Sequence, residues 1–152
     1  METRPLKKDM MPKTTRRTTA VLMSVKPSYA NLLVNGSKTV ELRRRFSDLP
    51  HGTKMLVYGS SPTSKIIGEV SIVKVEQLKL DDLWNYACQE AMISWEDFSA
   101  YFKGRDSGYA ITVNKATKYE SPYQLDCLKE LGVKGAPQSY QFISSEYSEC
   151  LT

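Results

Sequence analysis

The reading of this chain turns on residues 24–46, Ser24-Val-Lys-Pro-Ser-Tyr-Ala-Asn-Leu-Leu-Val-Asn-Gly-Ser-Lys-Thr-Val-Glu-Leu-Arg-Arg-Arg-Phe46. The stretch opens at the end of an apolar run, Ala20–Val25, that reads as a buried strand. Pro27 suits the first position of a helix, because its missing N–H costs nothing there. Tyr29, Leu32 and Leu33 recur at helical spacing, and Asn35-Gly36 stops the helix. Residues 38–44 then alternate. Val40 and Leu42 point one way, and Thr39, Glu41 and Arg43 the other, as in a strand with one buried and one polar face. Lys38 stands at the entrance to that strand.

Outward from this core, residues 54–60 read as a short buried strand. Residues 64–78 read as a long one, with Gly68 marking a bulge or bend. A helix is expected over 80–91, from the stripe Leu80, Leu83, Trp84 and Ala87. A second starts at an N-cap, Ser94, with Phe98, Tyr101 and Phe102 on its core face. Strands over 108–113 and 139–143 flank a short helix at Gln124–Leu131. At these spacings Trp84, Trp95, Phe98, Tyr101 and Phe102 read as core residues. Strands do not alternate with helices, which argues against a doubly wound fold and for an α+β fold built on a mixed, curled barrel. The expected division is a disordered basic tail over 1–19, one domain over 20–143 and a flexible tail over 144–152. Met10 and Met11 are alternative natural starts.

Composition narrows the chemistry. The net charge is +4, and residues 1–19, with six basic groups and two acids, account for all of it. The rest is balanced, so any contact with nucleic acid must rest on a local patch. Cys88, Cys127 and Cys150 form no CxxC pair, and His51 is the only histidine, so a zinc site or a histidine-activated nucleophile is not expected. No cofactor is implied. No apolar run is long enough for a membrane span, and the N-terminus lacks an apolar signal region, so a cytoplasmic protein without membrane contact is expected.

The candidate site lies in the opening stretch. Lys38 and Arg43 together suit a phosphate or a carbonyl oxygen. Glu41 beside them can accept from a base amino group or deprotonate water, or simply pair with Lys38 in an exposed salt bridge. Lys26 lies at a strand end where a phosphate could use it. Tyr58, Ser60 and Ser61 form a turn whose hydroxyls and N–H groups could grip a base or phosphate, against the plainer reading of a loop. Gln138 and Ser139 could read a base edge. Tyr109 and Tyr140 flank the presumed cleft, and Arg44 and Arg45 extend a basic run that reads as a solvated face.

The pattern S-x-K-P-x-Y followed by G-x-K-T-x-E-x-R resembles the ASCH domain, a relative of the PUA RNA-binding fold. Residues 57–72, 95–111 and 135–143 resemble its further segments in the same order, so the likeness covers about 20–143. The chain is similar to stand-alone ASCH proteins labelled predicted transcriptional regulators. The resemblance implies a PUA-like mixed β-barrel with helices covering its ends. It also implies a module for RNA, a nucleobase or a nucleotide, with DNA a further candidate and the oligomeric state open. A hydrolase is the alternative, since one similar branch hydrolyses N4-acetylcytidine with a lysine, a threonine and a glutamate, and other ASCH proteins are implicated in ribonuclease activity. That lysine falls at Lys38 and its threonine at Glu41, so the threonine is absent here. Its glutamate falls at Glu90, within Ala87–Met92. As an enzyme the chain would use Lys38, Glu41 and Glu90.

Overall fold

The structure, a computed structural model, describes residues 19–151. The expected tail over 1–19 and the alternative starts at Met10 and Met11 therefore lie outside the described residues, apart from Thr19. In chain order the elements are β1 (Thr19–Val25), α1 (Pro27–Val34), β2 (Val40–Arg43), β3 (Lys54–Gly59), β4 (Lys65–Lys79), α2 (Leu80–Ala87), α3 (Trp95–Tyr101), β5 (Ser107–Tyr123) and β6 (Tyr140–Ser144). Two 3-10 helices, Leu125–Leu131 and Ser145–Glu149, flank β6.

The strands make one six-stranded sheet in the order β2-β5-β4-β3-β1-β6. β1 runs parallel to β3, with Val21 opposite Met55, and every other pairing is antiparallel. β1 is buried on both faces, which is why it reads as an unbroken apolar run. Val21, Met23 and Val25 join the core under α1, while Ala20 and Leu22 join a second core beneath the 3-10 helices. A third core packs α2 and α3, through Leu83, Ala87, Phe98 and Phe102, onto Val40, Leu42 and Ala110.

The helix stop is as read. Gly36 takes φ +86°, and its N–H donates to the Leu33 carbonyl while that of Lys38 donates to Leu32. Gly68 answers to packing as well as to the irregular register around it. A Cβ there would lie 2.3 Å from the Thr117 carbonyl oxygen and 2.6 Å from Val34 Cγ1, so α1 can sit close on the sheet only over a glycine.

Several expectations are corrected. The sheet is not closed into a barrel, and its two edges are β2 and β6. β2 has only four residues, and where it nears the far end of the sheet a side chain, not a backbone ladder, spans the gap: Arg43 donates to the Ser24 carbonyl and to Ser139 Oγ. The expected helix over 80–91 ends at Ala87 and leaves a turn with Met92 at φ +53°. The strand expected over 108–113 runs to Tyr123, and the helix at 124–131 is 3-10. Trp95 is exposed rather than core, stacked on Phe98 at the surface. Where a loose tail was expected, Ser145–Glu149 form a 3-10 helix whose Tyr147 is buried, its hydroxyl donating to Glu69 Oε1 alongside that of Tyr119. No helix among the described residues is long and apolar enough to cross a membrane.

Candidate nucleic-acid site

Period-two alternation in β2 sends Val40 and Leu42 into the third core and turns Glu41 and Arg43 to the opposite face. Lys38 is delivered to that face by the Gly36 turn. The three charges form a chain. Lys38 Nζ lies 3.5 Å from Glu41 Oε1, and Arg43 Nη2 and Nε donate to Glu41 Oε2 at 2.8 and 3.1 Å. Arg43 Nη2 also donates to the Ser24 carbonyl at 2.8 Å, and Nη1 to Ser139 Oγ at 3.3 Å. The guanidinium thus ties β2 to the end of β1 and the approach to β6.

This cluster is desolvated, with only 3% of Lys38 and 6% of Glu41 exposed. Such burial would be costly for a lone charge, and mutual pairing offsets it. The Lys38 ammonium is held by Glu41, by the Ala91 carbonyl at 2.5 Å and by the Tyr29 ring, whose centre is 4.8 Å away. Burial pushes its pKa down, Glu41 opposes that, and Arg43 adds to the lowering.

In front of the cluster lies a cavity of about 410 Å³, lined by Ser24, Lys26, Tyr29, Glu41 and Arg43 on one side and by Ile93, Asp97 and Tyr101 on the other. Lys38 sits behind Glu41 rather than at the surface of the cavity. The Tyr29 hydroxyl donates to Asp97 Oδ2 at 3.4 Å across the opening, and burial together with Asp97 raises its pKa, so it remains a hydroxyl. Lys26 is exposed at the rim. With Lys26, Lys38 and Arg43 against Glu41 and Asp97, the site carries one positive charge in excess.

The remaining candidates stand apart. Tyr58 shares the face of Leu56 and packs into the second core, because one step along a strand reverses a side chain's direction. Ser60 spends its N–H on the Val25 carbonyl, Ser61 is exposed, and neither lines the cavity. Ser139 reaches the site through Arg43, while Gln138 is exposed outside the lining. Glu90 contributes its backbone, its carbonyl accepting from the N–H groups of Thr39 and Val40; the residue is exposed and does not line the cavity. Asp97, Tyr101 and Ile93 were missed. Ser24 and Tyr29 lie within the motif S-x-K-P-x-Y, and only that motif signalled them.

An open six-stranded sheet with helices packed on it, and a small cavity beside a buried cluster of two cations and a carboxylate, defines the class: a small mixed α+β domain. The ASCH domain profile matches residues 23–130, and the chain belongs to the ASCH domain family. It is 28% identical over 131 residues to an ASCH domain-containing ribonuclease of Zymomonas mobilis, covering 86% of this chain and 88% of that protein. The crystal structure of ASCH from Zymomonas mobilis superposes with a TM-score of 0.80 at 28% identity, covering 87% of this chain and 92% of that one. Large ribosomal subunit protein uL22 of Ureaplasma parvum is 26% identical over 126 residues, and the match takes in 83% of this chain but only 40% of the uL22 protein.

Proposed function

We propose that this protein binds single-stranded RNA and takes one nucleotide of the strand into the cavity in front of Lys38, Glu41 and Arg43. The carrying observation is the desolvated Lys38–Glu41–Arg43 chain facing a hollow of about 410 Å³, within the range of small-ligand sites. Arg43 and Lys26 offer donors to phosphate or to a base carbonyl. Glu41, fixed by both cations, keeps acceptor capacity for a base amino group. Single strands suit such a pocket because their bases can splay out of the stack.

A second reading, cleavage of the bound strand, is favoured by the likeness to the Zymomonas mobilis ribonuclease along nearly the full length of both chains. Among the described residues Asp97 has no ion-pair partner, so it is the cavity carboxylate free to accept a proton. In this reading Asp97 takes the proton of a ribose 2′-hydroxyl and the 2′-oxygen bonds to phosphorus. The bond from phosphorus to the 5′-oxygen breaks, and that oxygen takes the Tyr29 proton, with Lys26 against the phosphate. Hydrolysis of N4-acetylcytidine has less support, since Glu41 stands in place of the threonine and Glu90 lies outside the lining.

Fluorescence anisotropy with a labelled RNA of about twelve nucleotides tests the binding, and a denaturing gel of the same mixture tests the cleavage. Wild type should bind with an affinity that falls as salt rises, and Arg43→Met should weaken binding about tenfold or more. Asp97→Asn should stop cleavage while leaving binding intact. Salt-insensitive RNA affinity, or affinity unchanged in Arg43→Met, contradicts the binding reading; cleavage that survives Asp97→Asn contradicts the assigned base.

A further inference from the structure

The polypeptide that brings Arg43 to the cavity continues into two more arginines, and these do not point back into it. Arg44 and Arg45, with Phe46, line a second, open groove of about 600 Å³ together with Gln77, Arg105 and Tyr109. Gln77 and Tyr109 face each other across the β4–β5 pairing, and Arg105 arrives on the turn after α3 that Gly104 makes at φ +82°. Two segments far apart in sequence thus bring three arginines to one concave surface, and Gln77 joins them from a third. Asp106 is the only acid in the lining, so two positive charges are in excess.

The groove adjoins the cavity. Arg44 lies over the Tyr101 ring at 4.7 Å and donates to the Tyr101 carbonyl at 3.5 Å, and Tyr101 is itself a wall of the cavity. Arg43 and Arg44 are consecutive, one in each hollow. Among the described residues neither Arg45 nor Arg105 has an ion-pair partner, and both are exposed. A solvated arginine needs no explanation alone. Three on one concave surface, beside the cavity proposed to take a nucleotide and with a half-buried tyrosine in the same lining, suit a polyanion.

We propose that this groove carries the sugar-phosphate backbone of the RNA strand where it leaves the cavity, with Arg45 and Arg105 on successive phosphates and Tyr109 offering a stacking face. This rests on the RNA reading of the cavity and extends it: the cavity would take one nucleotide and the groove its neighbours, so affinity should grow with strand length. A protein that reads single nucleotides only would have no use for the groove.

The test compares wild type with the double variant Arg45→Ala/Arg105→Ala, which leaves Arg43 and the Arg44–Tyr101 contact in place. Each is titrated with uridine monophosphate and with a labelled oligouridylate of about twelve nucleotides over a range of salt. Wild type should bind the oligomer much more tightly than the monophosphate. In the double variant oligomer affinity should fall about tenfold or more, and the slope of log affinity against log salt should shrink by about 1.4, since each phosphate contact on a single strand contributes about 0.7. Monophosphate affinity should stay unchanged, and Arg45→Lys/Arg105→Lys should keep most of the slope. If wild type binds the oligomer and the alanine variant keeps the full slope, the groove proposal is overturned while the cavity reading stands. Loss of monophosphate affinity as well would place the effect in the cavity and overturn it too. Should wild type bind neither ligand, the RNA reading itself fails, and the groove with it.

Discussion

The Lys38 ammonium is the most heavily desolvated charge in the site, and its titration reports how the cluster is balanced. Burial lowers its pKa from the ordinary 10.5, even though Glu41 pulls the other way. A lysine that binds its proton less tightly when folded is less protonated in the native than in the unfolded chain between the two pKa values. Stability from this group therefore rises with pH in the window just below 10.5. Lys38→Met removes the effect. In urea denaturation from about pH 8 to about pH 10, wild type should gain stability relative to Lys38→Met as the pH climbs. A constant difference between the two would mean that Lys38 is not desolvated. At this scale much of the candidate cluster was legible in the sequence. Lys38, Glu41 and Arg43 lie within a few residues of one another, and strand alternation alone puts Glu41 and Arg43 on one face. It could not show Asp97, which meets Tyr29 across 68 positions of chain. Nor could it show that Glu90 contributes a backbone carbonyl, since side-chain chemistry is all that a residue type advertises.

At the scale of elements, the site depends on α1 lying close to the sheet, so that the turn after it can deliver Lys38. Gly68 permits that approach. Gly68→Ala would place a methyl group 2.3 Å from the Thr117 carbonyl oxygen and against Val34, and neither backbone nor β-branched side chain yields easily. A loss of about 1–3 kcal/mol is expected in chemical denaturation, with RNA affinity falling as α1 lifts. An unchanged midpoint would show that the helix can shift freely. The glycine was noticed in the sequence as a bend, yet its partner α1 lies more than thirty residues earlier and leaves no local trace. The same limit explains Tyr58. The strand was legible, but what covers each of its faces was not: the second core covers the side of Tyr58, the first core the other, and no residue of β3 lines the cavity. The 3-10 helix at Ser145–Glu149 was invisible because what buries Tyr147, the apolar second core and the Glu69 carboxylate, is supplied largely by residues far upstream.

Over the whole molecule, the order of strands and helices was readable from periodicity and punctuation, and closure of the sheet was not. Whether two edges join depends on lengths and twist accumulated over six strands. Here a four-residue β2 leaves the ends apart, and Arg43 fills the place of a ladder. That opening sets the cavity beside the three charges and the arginine groove. The structure of a complex with a short oligouridylate is the most direct measurement. One nucleotide should lie inside the cavity, in contact with Arg43 and Glu41, with the following phosphates along Arg45 and Arg105. A strand bound elsewhere on the surface, with the cavity empty, would contradict it.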